Sequence, residues 1–326
     1  MKALVYEGAE QLVFRDVPEP DEVGGQHLIH VDAVGICGSD MHAYLGHDER
    51  RPAPLILGHE AAGVIVGGAR DGERVTVNPL VTCGTCAACT SGRENLCPDR
   101  QIISMPPREG AFAQFISMPE RNLVAVPNAV SLEKAALAEP LAVGWHAARL
   151  GLELLNKRIE PRALIIGGGA IGLASALSLR AMGCEEVTIA ETTEPRLAYL
   201  QEVCGEPAVA RAEGAFPIVV DAVGYAGTRA IASRLAEPGG VIVHIGLGED
   251  AGGLDIRRMT LQEITFVGTY AYTAQDFRDT AQALFDGRLG ALNWTETRPL
   301  SDGAAAFMDL KNHQVSAPKI VLRPWA

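Results

Sequence analysis

The sequence predicts an α/β protein of two domains, a mostly β unit joined to a doubly wound parallel sheet, and three observations carry the prediction. Its 326 residues exceed the usual size of a single hydrophobic core. Up to about residue 130 the apolar residues alternate with period two, whereas beyond it short apolar runs alternate with helical stretches. Three consecutive glycines, Gly167, Gly168 and Gly169, follow the first of those runs directly.

The elements follow in order. His27-Leu-Ile-His-Val-Asp-Ala-Val34 and Glu73-Arg-Val-Thr-Val-Asn78 read as strands with one buried face, separated by Gly, Pro and Asp turns. The hairpin around Gly67 to Gly72 is short. From Leu132 through Trp145 toward Leu155 the pattern becomes helical, and this segment is the expected interdomain hinge. Apolar runs recur at 163–166, 187–190, 218–221, 241–245 and 264–267. Fully apolar strands with helical crossovers mean a parallel sheet covered on both faces.

Only eight residues intervene between Val209 and Ile218, fewer than the dozen or more a parallel crossover needs. One helix of the second domain is therefore expected to be deleted, and a full six-strand, doubly covered sheet is not assured. A helix is predicted over 274–286, and 318–324 reads as a strand returning to the first domain. The expected division is 1–140, completed by 288–326, for the β domain and 141–287 for the parallel-sheet domain.

Composition narrows the function. A net charge of −12 repels polyphosphate and disfavours both nucleic acid and anionic membranes as partners. The charge-free stretch 163–179 is too short and too glycine-rich to span a bilayer. Glu7 and Glu10 interrupt any apolar core of a signal peptide, so a soluble, cytoplasmic protein is expected. Seven cysteines suit a reducing compartment, and Cys184 and Cys204 read as small core residues.

Four of the thiols, Cys83, Cys86, Cys89 and Cys97, fall within one short lobe at metal-ligand spacing. Four thiolates about 2.3 Å from zinc make a closed structural site with no position for substrate. Local disulfides or a nucleic-acid-binding ribbon are the rival readings, and the acidic balance weakens the second. Cys37 and Gly58-His59-Glu60 offer a thiolate, an imidazole and a carboxylate, a set that suits an open zinc site. Cys37 and His59 are the expected constant ligands and Glu60 one able to yield its place. Glu139, in Ala138-Glu-Pro-Leu-Ala142, is a further candidate, either as a ligand or as a hold on the metal-bound water.

Gly167, Gly169 and Gly172 sit between an apolar strand and an apolar helix, where a glycine-rich turn admits a pyrophosphate onto the helix amino end. Glu191, nineteen residues past Gly172, would accept hydrogen bonds from ribose hydroxyls and repel a 2′-phosphate. NAD is therefore expected rather than NADP, although Arg196 is placed where it could bind a phosphate.

Gly-His-Glu, Cys-Gly-Ser-Asp-x-His, the four-cysteine lobe and Glu-Pro-Leu-Ala stand in the order seen in zinc-dependent medium-chain dehydrogenases, and along essentially its whole length the chain resembles that family. It is most similar to the polyol (sorbitol), threonine and butanediol dehydrogenase branch. The resemblance implies a GroES-like, mostly β catalytic domain plus a Rossmann domain, one catalytic and one structural zinc, and a homodimer or homotetramer. It also implies that Ile171, Leu247 and Tyr270 line the cofactor and that Lys319 reaches its pyrophosphate. Ser39 would take the substrate proton and relay it toward His42, with Asp40 orienting His59 from behind.

In the sorbitol branch an Arg-Tyr pair helps hold the polyol, whereas here Thr269-Tyr-Ala-Tyr272 carries Ala271 in place of the arginine. A shorter diol or secondary alcohol becomes more plausible as substrate. The expected activity is reversible oxidation of a polyol, diol or other secondary alcohol to a ketone. Its rivals are amino-alcohol oxidation of the threonine type and a catalytically silent NAD-sensing or zinc-ribbon interaction protein.

Overall fold

The computed structural model describes residues 1–21 and 24–326. The chain divides into two compact units, one of Met1–Glu139, Thr273–Asp286 and Thr295–Ala326, the other of Pro140–Tyr272 and Gly287–Trp294.

The first unit is built on a seven-stranded sheet, in the order Leu123–Ala125, Arg74–Val77, Glu60–Val66, Gln26–Gly35, Lys319–Arg323 and Thr295–Pro299, with Phe115–Pro119 also pairing onto Gln26–Gly35. Along Gln26–Gly35 the period-two pattern does what it predicts: Ile29, Val31 and Ala33 are fully buried while His30 and Asp32 are not. A smaller sheet orders Gln11–Asp16, Lys2–Gly8 and Leu55–Ile56. Registers place the site. Gly35 lies opposite Glu60 on one side and opposite Val321 on the other, so the ends of three strands converge where Cys37 begins the helix Gly38–Tyr44.

The second unit is a six-stranded, all-parallel sheet in the order Ala208–Val209, Glu186–Ala190, Arg162–Ile166, Phe216–Asp221, Ala236–His244 and Thr265–Gly268. This is the Rossmann order, with the direction of winding reversing at Arg162–Ile166. Leu164, Val219 and Ile242 pack in its core, and burial of each such side chain stabilises the fold by about 1.5–3 kcal/mol.

All six strands are present, which corrects the doubt the sequence raised. The third is cut to the two residues Ala208–Val209, and no helix lies between it and Phe216–Asp221. The link must cross three strand spacings of about 4.8 Å and also return by about five residues along the parallel strands, about 22 Å in all, which residues 210–215 can span only when nearly extended and therefore without a helix.

Two boundaries also differ from expectation. The helix Ala274–Phe285 groups with the first unit, where Ala274 N–H donates to Glu94 Oε1 (2.7 Å), and Gly287–Trp294 groups with the second. The predicted long helix over 132–155 is two, Leu132–Ala136 and Ala138–Leu154, and the division between units falls at Glu139 and Pro140 inside the second.

Candidate active site and metal centres

In the four-cysteine lobe, Cys86 caps the short helix Ala87–Thr90, Cys89 lies within it, and Cys97 follows the turn Glu94–Leu96. All four sulfurs lie within 4.8 Å of one another. Tetrahedral thiolates about 2.3 Å from zinc sit about 3.8 Å apart, and Cys83 Sγ is 3.9 Å from Cys89 Sγ and 3.6 Å from Cys97 Sγ. Backbone N–H groups of Thr85 (3.5 Å) and Cys86 (3.3 Å) donate to Cys83 Sγ and draw its pKa down to about 6. Burial pushes Cys89 up to about 11. None of the seven cysteines forms a disulfide, so the lobe fits a metal rather than the rival disulfide reading.

The open set is held by Asp40. Its carboxylate, fully buried, accepts the Cys37 N–H (3.0 Å) and the Gly58 N–H (3.2 Å), tying together the two chain segments that bear Cys37 and His59. Asp40 Oδ1 also lies 3.5 Å from His59 Nδ1, leaving Nε2 as the ring's ligating atom. Burial works against the carboxylate charge, yet His59 and Arg51 hold the Asp40 pKa below its ordinary value. Burial likewise disfavours a charged His59 ring, but Asp40 and Cys37 keep its pKa well above the usual histidine value. The same negative field favours a metal cation.

Cys37, His59 and Glu60 each present a donor atom within 4.8 Å of the others. Glu60 is fully buried; its Oε1 accepts from Lys319 Nζ at 2.6 Å, and its Oε2 has no hydrogen-bond partner. An orphaned, buried carboxylate oxygen beside a thiol and an imidazole fits a metal ligand. Gly35 makes room for it, since a Cβ there would stand 2.0 Å from Glu60 Oε2. Glu139 is buried in the first turn of Ala138–Leu154 but falls outside this three-donor set, although its charge reaches Lys319.

Lys319 is 3% exposed and donates to Ile36 O (2.8 Å) as well as to Glu60, which engages two of its three N–H groups at the metal set. Burial opposes its charge, but Glu60 and Cys37 raise its pKa above the ordinary lysine value. Ser39 is half-buried in the first turn of Gly38–Tyr44, and His42 is exposed three residues on, on the same helix face.

In the second unit every expected cofactor residue other than Arg196 lies at or just beyond the carboxyl end of a parallel strand, where such sheets bind ligands. Gly167 follows Arg162–Ile166 with φ 96°, a conformation that favours glycine. A Cβ on Gly172 would meet Gly167 O at 1.8 Å, so helix and turn pack closely only because Gly172 is bare. Gly169 caps the helix Ala170–Ala181 and has open space where a side chain would stand, and Ile171 follows in its first turn. Glu191 directly follows Glu186–Ala190, fixed by the N–H groups of Gly168 (2.9 Å) and Thr193 (2.7 Å). Leu247 is 83% exposed beyond Ala236–His244, and Tyr270 follows Thr265–Gly268. Arg196 is half-buried on the helix Glu194–Glu202, and burial lowers its pKa while Glu191 opposes the shift.

Two groups escaped the sequence reading. Arg51 and Ser104 are both buried beside Ser39 and His59. Arg51 stands in the polar loop His47-Asp-Glu-Arg-Arg51, which reads as solvated; only its neighbour Pro52 hints that it turns inward.

A nucleotide-binding sheet preceded by one closed and one open donor set defines a metal-dependent dehydrogenase. The alcohol dehydrogenase GroES-like domain matches residues 24–128 and the zinc-binding dehydrogenase domain residues 170–286. The chain belongs to the zinc-dependent medium-chain dehydrogenase family. It is 40% identical over 208 residues to a sorbitol dehydrogenase of Bacillus subtilis, an alignment spanning 60% of this chain and 57% of that enzyme. It is 29% identical to a probable D-xylulose reductase A of Neosartorya fischeri, spanning 95% of this chain and 93% of that protein. An Escherichia coli CFT073 alcohol dehydrogenase solved with NADH superposes with a TM-score of 0.88 at 26% identity, covering 99% of both chains.

Proposed function

We propose that this protein is an NAD-dependent zinc dehydrogenase that reversibly oxidises a polyol, diol or other secondary alcohol. The overall reaction converts the alcohol and NAD⁺ into the ketone, NADH and one proton. The observation that carries the reading is the convergence of Cys37, His59 and Glu60, with Glu60 Oε2 buried and unpartnered. The sorbitol and xylulose relatives and an L-galactonate-5-dehydrogenase of Escherichia coli (29% identical over 312 residues) support a polyol-type substrate over threonine-type oxidation or a silent binding protein. Ala271, in place of a guanidinium, favours the shorter members of that class.

Cys37, His59 and Glu60 would hold the catalytic zinc, with Glu139 near enough to influence the set through Lys319, and Cys83, Cys86, Cys89 and Cys97 would hold a structural one. When bound, zinc supplies Lewis-acid polarisation of an alcohol oxygen and NAD supplies the hydride acceptor. The protein does the rest. Asp40 fixes the tautomer and direction of His59. Lys319 makes the donor set one charge less negative, which favours loss of the alcohol O–H proton. Ser39 Oγ accepts that proton as it releases its own toward solvent, and His42, one turn further along the helix, is the next acceptor. Glu191, already held by two backbone donors, prefers ribose hydroxyls to a 2′-phosphate, so NAD is the cofactor; a Sinorhizobium meliloti relative of 25% identity was solved with NADP, which makes the choice worth measuring.

No helix among the described residues is long and apolar enough to cross a membrane. A cytoplasmic homodimer or homotetramer completes the proposal, supported by the thiol state of the cysteines and by family resemblance respectively. The test is nicotinamide reduction by the zinc-loaded protein with NAD and NADP, across vicinal diols, hexitols, simple secondary alcohols and threonine. Turnover of a hydroxyl substrate with NAD is expected, and Cys37→Ser abolishes it while leaving NAD binding intact. Silence across the panel with zinc and NAD bound would overturn the proposal.

A further inference from the structure

We infer that Arg51 is a positioning residue for proton transfer, one that presents the Ser39 hydroxyl to the substrate oxygen in a single orientation. The inference rests on the dehydrogenase reading above. Arg50 and Arg51 are neighbours in sequence and opposites in setting. Arg50 pairs with Asp48 at the surface, whereas Arg51 is only 3% exposed.

Its buried guanidinium is fully engaged. Nε donates to Ser104 O (3.0 Å), Nη1 to Ser39 O (3.0 Å) and Asp48 Oδ2 (2.8 Å), and Nη2 to Ser39 Oγ (3.3 Å) and Ser104 Oγ (3.5 Å). Five N–H groups meet five acceptors, the full capacity of a guanidinium.

The chemistry follows from what arginine lacks. It has no acceptor, so both serine hydroxyls receive a hydrogen bond from Nη2 and must direct their own protons elsewhere. For Ser39, one lone pair is occupied, one remains for the incoming alcohol proton, and the O–H points away from the guanidinium. A relay needs that arrangement: as the O–H bond of the alcohol breaks, a new bond forms at Ser39 Oγ, and the original serine proton leaves toward solvent. Charge stays balanced at the serine throughout.

Ser104 supplies an independent sign of a site under constraint. Its φ is 70°, a left-handed backbone uncommon outside glycine, and Arg51 grips both its carbonyl and its hydroxyl. Ser104 Oγ in turn stands 3.5 Å from His59 Nδ1. A single side chain thus braces the serine beside Cys37 and the serine beside His59. Lysine could replace it only in part, because an ammonium has three donors where five are used here.

The experiment separates proton movement from hydride movement. Zinc-loaded protein with NAD is mixed with trifluoroethanol, an alcohol too electron-poor to give up hydride, and proton release is followed in stopped flow with phenol red. In Arg51→Met the release rate falls by at least about tenfold, kcat on the oxidisable substrate falls in parallel, and zinc content and KM for NAD do not change. Arg51→Lys recovers part of the rate. In a Ser39→Ala background, Arg51→Met adds less than about threefold, because the two residues act as one unit. The double variant Asp48→Asn/Arg51→Met leaves no buried carboxylate unpaired and carries the same comparison if Arg51→Met alone does not fold. Wild-type release rates in the Arg51 variants, or losses that multiply with Ser39→Ala, would overturn the role of Arg51 alone. A wild-type protein that binds zinc and NAD but releases no proton and turns over no alcohol overturns the dehydrogenase reading, and this inference with it.

Discussion

Replacing Gly35 with alanine adds one methyl group to a buried strand, yet its effect should centre on the metal. The new Cβ would stand 2.0 Å from Glu60 Oε2 and 3.1 Å from its carboxyl carbon, where ordinary contact needs about 3.5 Å. The carboxylate must therefore move by more than an ångström. It has little freedom to do so, because Glu60 is fully buried and its other oxygen is held by Lys319 at 2.6 Å. Overpacking of this kind costs about 1–3 kcal/mol, which lowers the melting temperature by several degrees. Displacing a ligand oxygen should weaken zinc at the open set at least about tenfold, the low end of what even outer-sphere changes cost. The assay is competition against a chromophoric chelator, with thermal melts in parallel. Gly227→Ala, at a helical glycine with no atom within 4 Å of the added methyl, serves as the control and should leave zinc affinity at the parent value while stability holds or rises by up to about 1 kcal/mol. A Gly35→Ala protein with parental stability and zinc affinity would refute the argument that Glu60 Oε2 points at the metal.

Three further outcomes are expected. Lys319→Met strands a buried carboxylate, so the zinc-free protein should lose about 3–5 kcal/mol in denaturant titrations, and zinc should restore much of it. Glu191→Ala removes the carboxylate that repels a 2′-phosphate while Arg196 remains, so kcat/KM should fall with NAD and rise with NADP; an unchanged ratio would show that Glu191 does not read the ribose. Asp221, fully buried, accepts from Val223 and Gly224 N–H and from Thr228, and His244 Nδ1 lies 3.2 Å away; burial opposes its charge, but these partners hold its pKa below the ordinary 3.8. A depressed pKa contributes stability above the unfolded value and loses it as pH falls through the folded one, so Asp221→Asn should destabilise the protein at pH 7 and progressively less below about pH 4, as followed by urea melts.

The parallel sheet was legible because its strands are almost wholly apolar, and residues such as Leu164, Val219 and Ile242 have no alternative to a core covered on both faces. The metal-type residues were legible because donor atoms must come from a few residue types at short spacing, as in the four-cysteine lobe. What stayed hidden depends on partners distant in sequence. Nothing around Lys319 says that its ammonium is buried, since the fact lies in the pairing of Val321 with Gly35 and of Gly35 with Glu60. Arg51 is invisible for the same reason: Ser104, which takes two of its five hydrogen bonds, is 53 residues away. Ala274–Phe285 follows directly on the last parallel strand of the second unit, but its first N–H is taken by Glu94, 180 residues earlier.

The strand Lys319–Arg323 has a temporal consequence. Lys319 emerges from the ribosome 259 residues after Glu60, and at about 5–20 residues per second the nascent chain waits roughly 13–50 s for that counter-charge. Throughout that interval Cys37, His59 and Glu60 are all synthesised, but the strand that closes the sheet beside them is missing. A stalled or truncated chain would carry every donor atom of the open set and still present it as an unbalanced anionic patch, prone to take metal in the wrong geometry. The open set therefore has its full charge balance only once the strand bearing Lys319 has been made.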